Sequence, residues 1–134
     1  MSLKETRMLY MFLLYIDPSV PPPADILERH FALADEARKR DAYVASEALG
    51  GTQNATTVRV RDGKTLITDG PFAETKEVLG GFYILDCKDL DEALEYAAQI
   101  PDAKYAGVEV CPIMHVPGWP YDETPARARQ AIPG

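Results

Sequence analysis

An α+β fold with two helices against one sheet is what the amino-acid sequence predicts, and three observations predict it. Apolar runs rich in β-formers alternate with two segments of helical periodicity in the order strand, helix, strand, strand, helix, strand. Between the second and third of those strands, Asp62-Gly63 separates two runs of period-two alternation, a strong hairpin signal because both turn positions want positive φ. The first run, residues 7–15 (RMLYMFLLY), is apolar at nearly every position, so both of its faces need cover.

Each element has its own local cause. Asp17-Pro18 ends the first strand, and Pro21-Pro22-Pro23 leads into a helix whose first turn suits Pro23 and whose positive end suits Asp25. Ile26, Leu27, His30, Phe31, Ala34 and Ala37 follow helical spacing on its apolar side, with Glu28, Arg29, Asp35, Glu36, Arg38 and Lys39 on the other. A short strand at 43–48 precedes the Gly50-Gly51 turn, and the hairpin occupies 56–61 and 64–68. Residues 81–87 (GFYILDC) read as a mostly buried strand. Asp89 and Glu92 stand three apart as a helix cap, and Leu90, Ala93, Leu94 and Ala97 mark the stripe of a second helix that stops before Pro101. Residues 107–113 close the set.

This is the order of two βαβ halves and points to a ferredoxin-like sheet with an inserted β-hairpin and both helices on one face. The other face would then expose a large apolar patch. The economical cover is a second copy stacked face to face, so a homodimer is expected.

At 134 residues the chain is long enough for one compact core and too short for two, with residues 1–113 forming the domain and 114–134 a Pro-rich tail. Trp119, between prolines in that tail, is expected to bury its ring against the body or the other subunit. The net charge of -7, with basic residues dispersed among carboxylates, argues against a phosphate-binding surface, so no direct nucleic-acid partner is expected. No run approaches the roughly 18 apolar residues of a membrane span, and the apolar run 8–16 lacks a small-residue cleavage site, which together predict no membrane partner and a cytoplasmic location. Cys87 and Cys111 read as free thiols within strands. With His30 and His115 they show no short metal-ligand spacing, and neither Gly-Gly pair opens a phosphate loop, so neither a metal nor another cofactor is expected.

Chemistry concentrates at two places. In the stretch LITDGPFAETKEVLGG, Pro71 fixes its own φ and keeps Gly70 from the helical region, so Asp69 is held at a rigid corner beyond a strand end. Such a carboxylate either accepts backbone N–H bonds in an Asx turn or orients another side chain. His30 sits on the apolar side of the first helix, where it is either a core histidine bonded to a carbonyl or a general base able to take a proton and return it elsewhere. Phe72 plugs the turn or lines a pocket mouth. Arg59 and Lys76 are surface charges or steer an anionic ligand.

The chain resembles the YCII-related family in its DGPF-domain branch. The resemblance lies in RMLYMFLLY, His30-Phe31, the run from Thr57 to Gly63, the run from Thr68 through Asp69-Gly70-Pro71-Phe72 to Glu77, and Gly80-Gly81-Phe82-Tyr83. It implies a dimeric α/β barrel with a pocket in each subunit and a histidine–aspartate pair as its reactive part, here His30 with Asp69; Gly70, Pro71, Phe72, Arg59 and Lys76, read from the residues themselves, are the candidate ligand-binding set beside it. Some similar proteins are credited with dehydrochlorination of quinone-like compounds. The implied function is a cofactor-independent acid–base enzyme acting on a small cyclic or carbonyl compound by proton transfer or elimination. The alternative is a non-catalytic ligand-binding or regulatory module linked to extracytoplasmic-function sigma factors.

Overall fold

The computed structural model describes residues 8–119. The elements run β1 (Met8–Ile16), α1 (Ile26–Lys39), β2 (Tyr43–Ala48), β3 (Thr56–Arg61), β4 (Lys64–Asp69), β5 (Val78–Cys87), α2 (Leu90–Gln99) and β6 (Gly107–Pro112), with 3₁₀ turns at Thr52–Asn54 and Pro101–Lys104. Four strands form an antiparallel sheet in the order β2-β5-β1-β6, while β3 and β4 form a separate two-stranded sheet. With the hairpin set aside, this is the α+β, ferredoxin-like arrangement expected from the sequence.

Local chemistry explains the element ends. The hairpin turns at Asp62 (φ 50°) and Gly63 (φ 74°), both in the left-handed region, so Arg61 pairs with Lys64 across a two-residue loop. In α2 the Asp89 carboxylate accepts the Glu92 backbone N–H at 2.9 Å, and Glu92 reaches back to the Lys88 N–H at 3.2 Å. Asp25 precedes α1 but caps no N–H; its carboxylate instead pairs with Arg29 at 3.0 Å, one turn on.

Register divides the sheet into two faces. Phe12 lies opposite Tyr83 and Val110, and Tyr10 opposite Leu85; with Leu33, Ala37, Ala93, Tyr96, Ala97 and Ile100 they form the core between sheet and helices. The alternate residues Met11, Leu13, Phe82 and Ile84 point to the opposite face and are only half-buried.

Two expectations are corrected. Leu27 and Phe31, assigned from spacing to the buried stripe of α1, are 62% and 63% exposed, whereas Leu33, Ala34 and Ala37 are buried. The helix meets the sheet through its C-terminal half, and its first turns stand off over an opening. The ring of Trp119 is not buried against the body of its own chain: it is 63% exposed, although its backbone N–H closes a turn to the Val116 carbonyl at 3.1 Å. The rest of the Pro-rich tail, residues 120–134, lies outside the described residues.

Candidate functional site

The opening under α1 is a cavity of about 400 Å³, walled by the helix on one side and by β2 and β5 on the other. A glycine lets β2 come this close to β5: a Cβ on Gly81 would lie 2.8 Å from the Glu47 carbonyl oxygen. Leu27 and Phe31 lie toward its open side, while His30, Tyr83 and Asp102 form its polar inner wall.

Three separate elements supply that wall. His30 is carried by α1, one turn before the buried Ala34. Tyr83 sits on the central strand β5, opposite Phe12 of β1 and Ser46 of β2, so its ring is part of the core and its hydroxyl reaches the cavity edge. Asp102 lies in the 3₁₀ turn after α2, held there because its carbonyl accepts the backbone N–H groups of Tyr105 and Ala106 at 3.1 and 3.0 Å. Asp102 is buried, and burial of a carboxylate demands a partner.

His30 meets both of the others. Its Nε2 lies 2.8 Å from Asp102 Oδ1, its Nδ1 lies 2.7 Å from the Tyr83 hydroxyl, and the two rings stack with centroids 5.9 Å apart. The contact is not aligned as a hydrogen bond, but a carboxylate oxygen at that distance repels a lone pair on Nε2 and so favours the tautomer with the proton there, which leaves Nδ1 of a neutral imidazole as an acceptor and makes the Tyr83 O–H its donor. A second acceptor for Tyr83, the His30 carbonyl at 3.5 Å, is too distant to compete. Burial, and after it the neighbouring Asp102 charge and Tyr43, push the Tyr83 phenol up to about 12. The tyrosine is thus held neutral, as a donor to the imidazole requires.

Around this wall Tyr43 and Ser46 share a 2.6 Å hydroxyl contact, and the Arg38 guanidinium lies 4.3 Å over the Tyr43 ring while pairing with Asp35 at 3.3 Å. Among the described residues no group of three or more His, Cys, Asp or Glu is placed to hold a metal ion.

The residues singled out from sequence fall into two groups. His30 lines the cavity. Asp69 does not: it ends β4 on the separate hairpin sheet, is exposed, and does not contact His30, so the carboxylate beside the histidine is Asp102. The corner that follows serves the hairpin. Gly70, at φ 107°, donates its N–H to the Ala55 carbonyl at 2.8 Å and accepts from the Thr57 hydroxyl at 3.0 Å. After Pro71, Phe72 is 76% exposed, with the Arg59 guanidinium 4.8 Å over its ring and donating to its carbonyl at 3.3 Å. Lys76 pairs loosely with Asp17 at 3.7 Å, beside a different surface depression that includes Tyr15 and Glu109. None of these lines the His30 cavity.

Sequence reasoning passed over Asp102 and Tyr83. Tyr83 reads as a core aromatic in a buried strand, which it also is. The signal for Asp102 is faint: an acidic residue directly after Ile100-Pro101, where a helix has just ended on a buried isoleucine.

Comparison with known proteins places the chain in context. A family model described as YCII-related domain matches residues 8–117. An uncharacterized protein of Rhizobium meliloti (strain 1021) is similar, 41% identical over 102 residues that cover 72% of this chain and 82% of the relative.

Proposed function

The chain belongs to the YCII-related family, and from that membership and the surroundings of His30 we propose that it is a small acid–base enzyme that needs no cofactor. The observation that carries the reading is the bracketing of His30 by Asp102 at 2.8 Å and Tyr83 at 2.7 Å on the wall of a cavity of about 400 Å³. Three polar groups converging from α1, β5 and the turn after α2 are a poor way to build a core and a good way to hold a proton-transfer group in one orientation. The family's histidine–aspartate pair is then His30 with Asp102 rather than with Asp69. Asp102 sets the tautomer and steadies the imidazolium that forms when a proton arrives. The cavity volume and the apolar Leu27 and Phe31 suit a small cyclic or carbonyl-bearing compound, on which the reaction is proton transfer or elimination.

The half-buried apolar sheet face supports a homodimer as the working unit. The alternative reading, a binding module in a sigma-factor regulatory setting, uses the same cavity but gives the oriented imidazole nothing to do. Deuterium uptake from D2O at the carbon beside the carbonyl, measured over a panel of small cyclic ketones, separates the two. Catalysed exchange should fall by about 100-fold or more in His30→Gln. A panel that exchanges no faster than in buffer, with ligands that still raise the melting temperature, would leave only the binding module.

A further inference from the structure

The ring nitrogens of His30 are both engaged, which raises the question of how a proton from a ligand reaches the imidazole. Nε2 faces the buried Asp102 and Nδ1 faces Tyr83, so the series ends at the tyrosine, which also lines the cavity. In the Nε2–H tautomer its hydrogen is directed at Nδ1. Its oxygen keeps lone pairs not used in that contact, and a lone pair receives donors.

We propose that Tyr83, not His30, is the group that exchanges a proton with the ligand, and that the site takes up a neutral weak acid, an O–H or N–H compound that donates to the Tyr83 oxygen. The inference rests on the acid–base reading above and assigns its substrate-facing residue. In the step, the ligand O–H or N–H bond breaks as a new O–H bond forms at Tyr83. The proton that Tyr83 held moves to His30 Nδ1, and Asp102 remains ionised against Nε2–H. The ligand keeps the electron pair, Tyr83 is neutral before and after, and nothing is oxidised or reduced.

The charges of the wall agree with a neutral ligand. Asp35, Glu47 and Asp102 line the cavity against a lone cation among its lining residues, Arg38, which is already paired with Asp35. An anion arriving from solvent meets net negative charge. An acid that ionises only after docking does so beside the imidazolium it has created. The apolar Leu27 and Phe31 toward the open side suit the body of such a molecule, with its donor turned inward.

A chromogenic weak acid tests this on the full chain. The probe is 4-nitrophenol, whose phenolate absorbs at longer wavelength than its phenol, added at a pH where the free dye is mostly phenol. With the parent protein the bound dye should absorb as phenolate while the ¹⁵N signals of His30 show both nitrogens protonated. In Tyr83→Phe, with the His30–Asp102 signals retained, the bound phenolate fraction should fall about tenfold or more. Installing 3-fluorotyrosine at position 83, a smaller change to the fold, should raise that fraction, because a stronger donor holds the phenolate better. Equal ionisation in the parent and in both Tyr83 variants would mean that His30 takes the proton directly, which overturns the relay and leaves the acid–base reading standing. A parent protein that binds the dye only as phenol, or does not bind it, overturns the relay, while the acid–base reading stands or falls separately on the deuterium exchange of the ketones.

Discussion

His30 Nε2 lies 2.8 Å from Asp102 Oδ1, joining the middle of α1 to the turn that follows α2, and the buried carboxylate oxygen makes no aligned hydrogen bond among the described residues, so this close polar approach is what it has. Two segments 72 positions apart in the chain are thus tied by one contact that neither makes locally.

That contact predicts opposite outcomes for two aspartates. Asp102→Asn should destabilise the protein by about 1–3 kcal/mol and shift His30 away from the Nε2–H tautomer, since the carboxylate that selects it is gone. Asp69→Asn should change neither the tautomer nor the melting temperature appreciably, because Asp69 is exposed and does not contact His30. The ¹⁵N shifts of His30 and urea melts of both variants check this, and a tautomer change in Asp69→Asn would contradict it.

Alkaline stability should depend on Tyr83. In the unfolded chain its phenol ionises near the ordinary value of 10.0, but in the fold only at about 12, so its contribution is present below pH 10 and is lost as pH rises toward 12. The loss should reach up to about 2–3 kcal/mol. Tyr10, Tyr15 and Tyr96 are also raised by burial and add to the same decline. Urea melts across this window should show a shallower decline for Tyr83→Phe than for the parent. An unchanged slope would place the tyrosine in a wetter setting.

Association should occur through the sheet face opposite the helices. Met11, Leu13, Phe82 and Ile84 form a contiguous apolar set there, and stable interfaces are built on such cores. Sedimentation velocity should give twice the chain mass, and Leu13→Glu should give the single mass with its helix content intact. A parent protein that sediments as a monomer at micromolar concentration would remove the homodimer.

Gly81→Ala should open the cavity wall. Its Cβ would meet the Glu47 carbonyl oxygen at 2.8 Å, a backbone atom that cannot rotate aside, so β2 must shift from β5. The expected cost is about 1–3 kcal/mol, with the largest amide shifts in β2. Amide shifts confined to the neighbours of position 81, at unchanged stability, would show that the strand accommodates the methyl.

The elements, their order and the hairpin were legible in the sequence because their causes are local. Alternation, helical spacing, the Asp89–Glu92 cap and the positive-φ pair Asp62-Gly63 each act over a few residues, and the structure contains all of them. The exposure of Leu27 and Phe31 was not legible, since spacing says which residues share a helix face but not how far that face stands from the sheet.

The sequence by itself determined that His30 would be an inward-facing histidine in a ferredoxin-like domain; only the tertiary structure decided its company. A rigid corner such as Asp69-Gly70-Pro71 is visible in one dimension because proline and glycine restrict their own neighbours. The partners that reached His30, Tyr83 and Asp102, carry no such local mark. They arrive through the β1–β5 pairing and the packing of α1 against the turn after α2, where a half-buried imidazole is the polar group nearest a buried carboxylate.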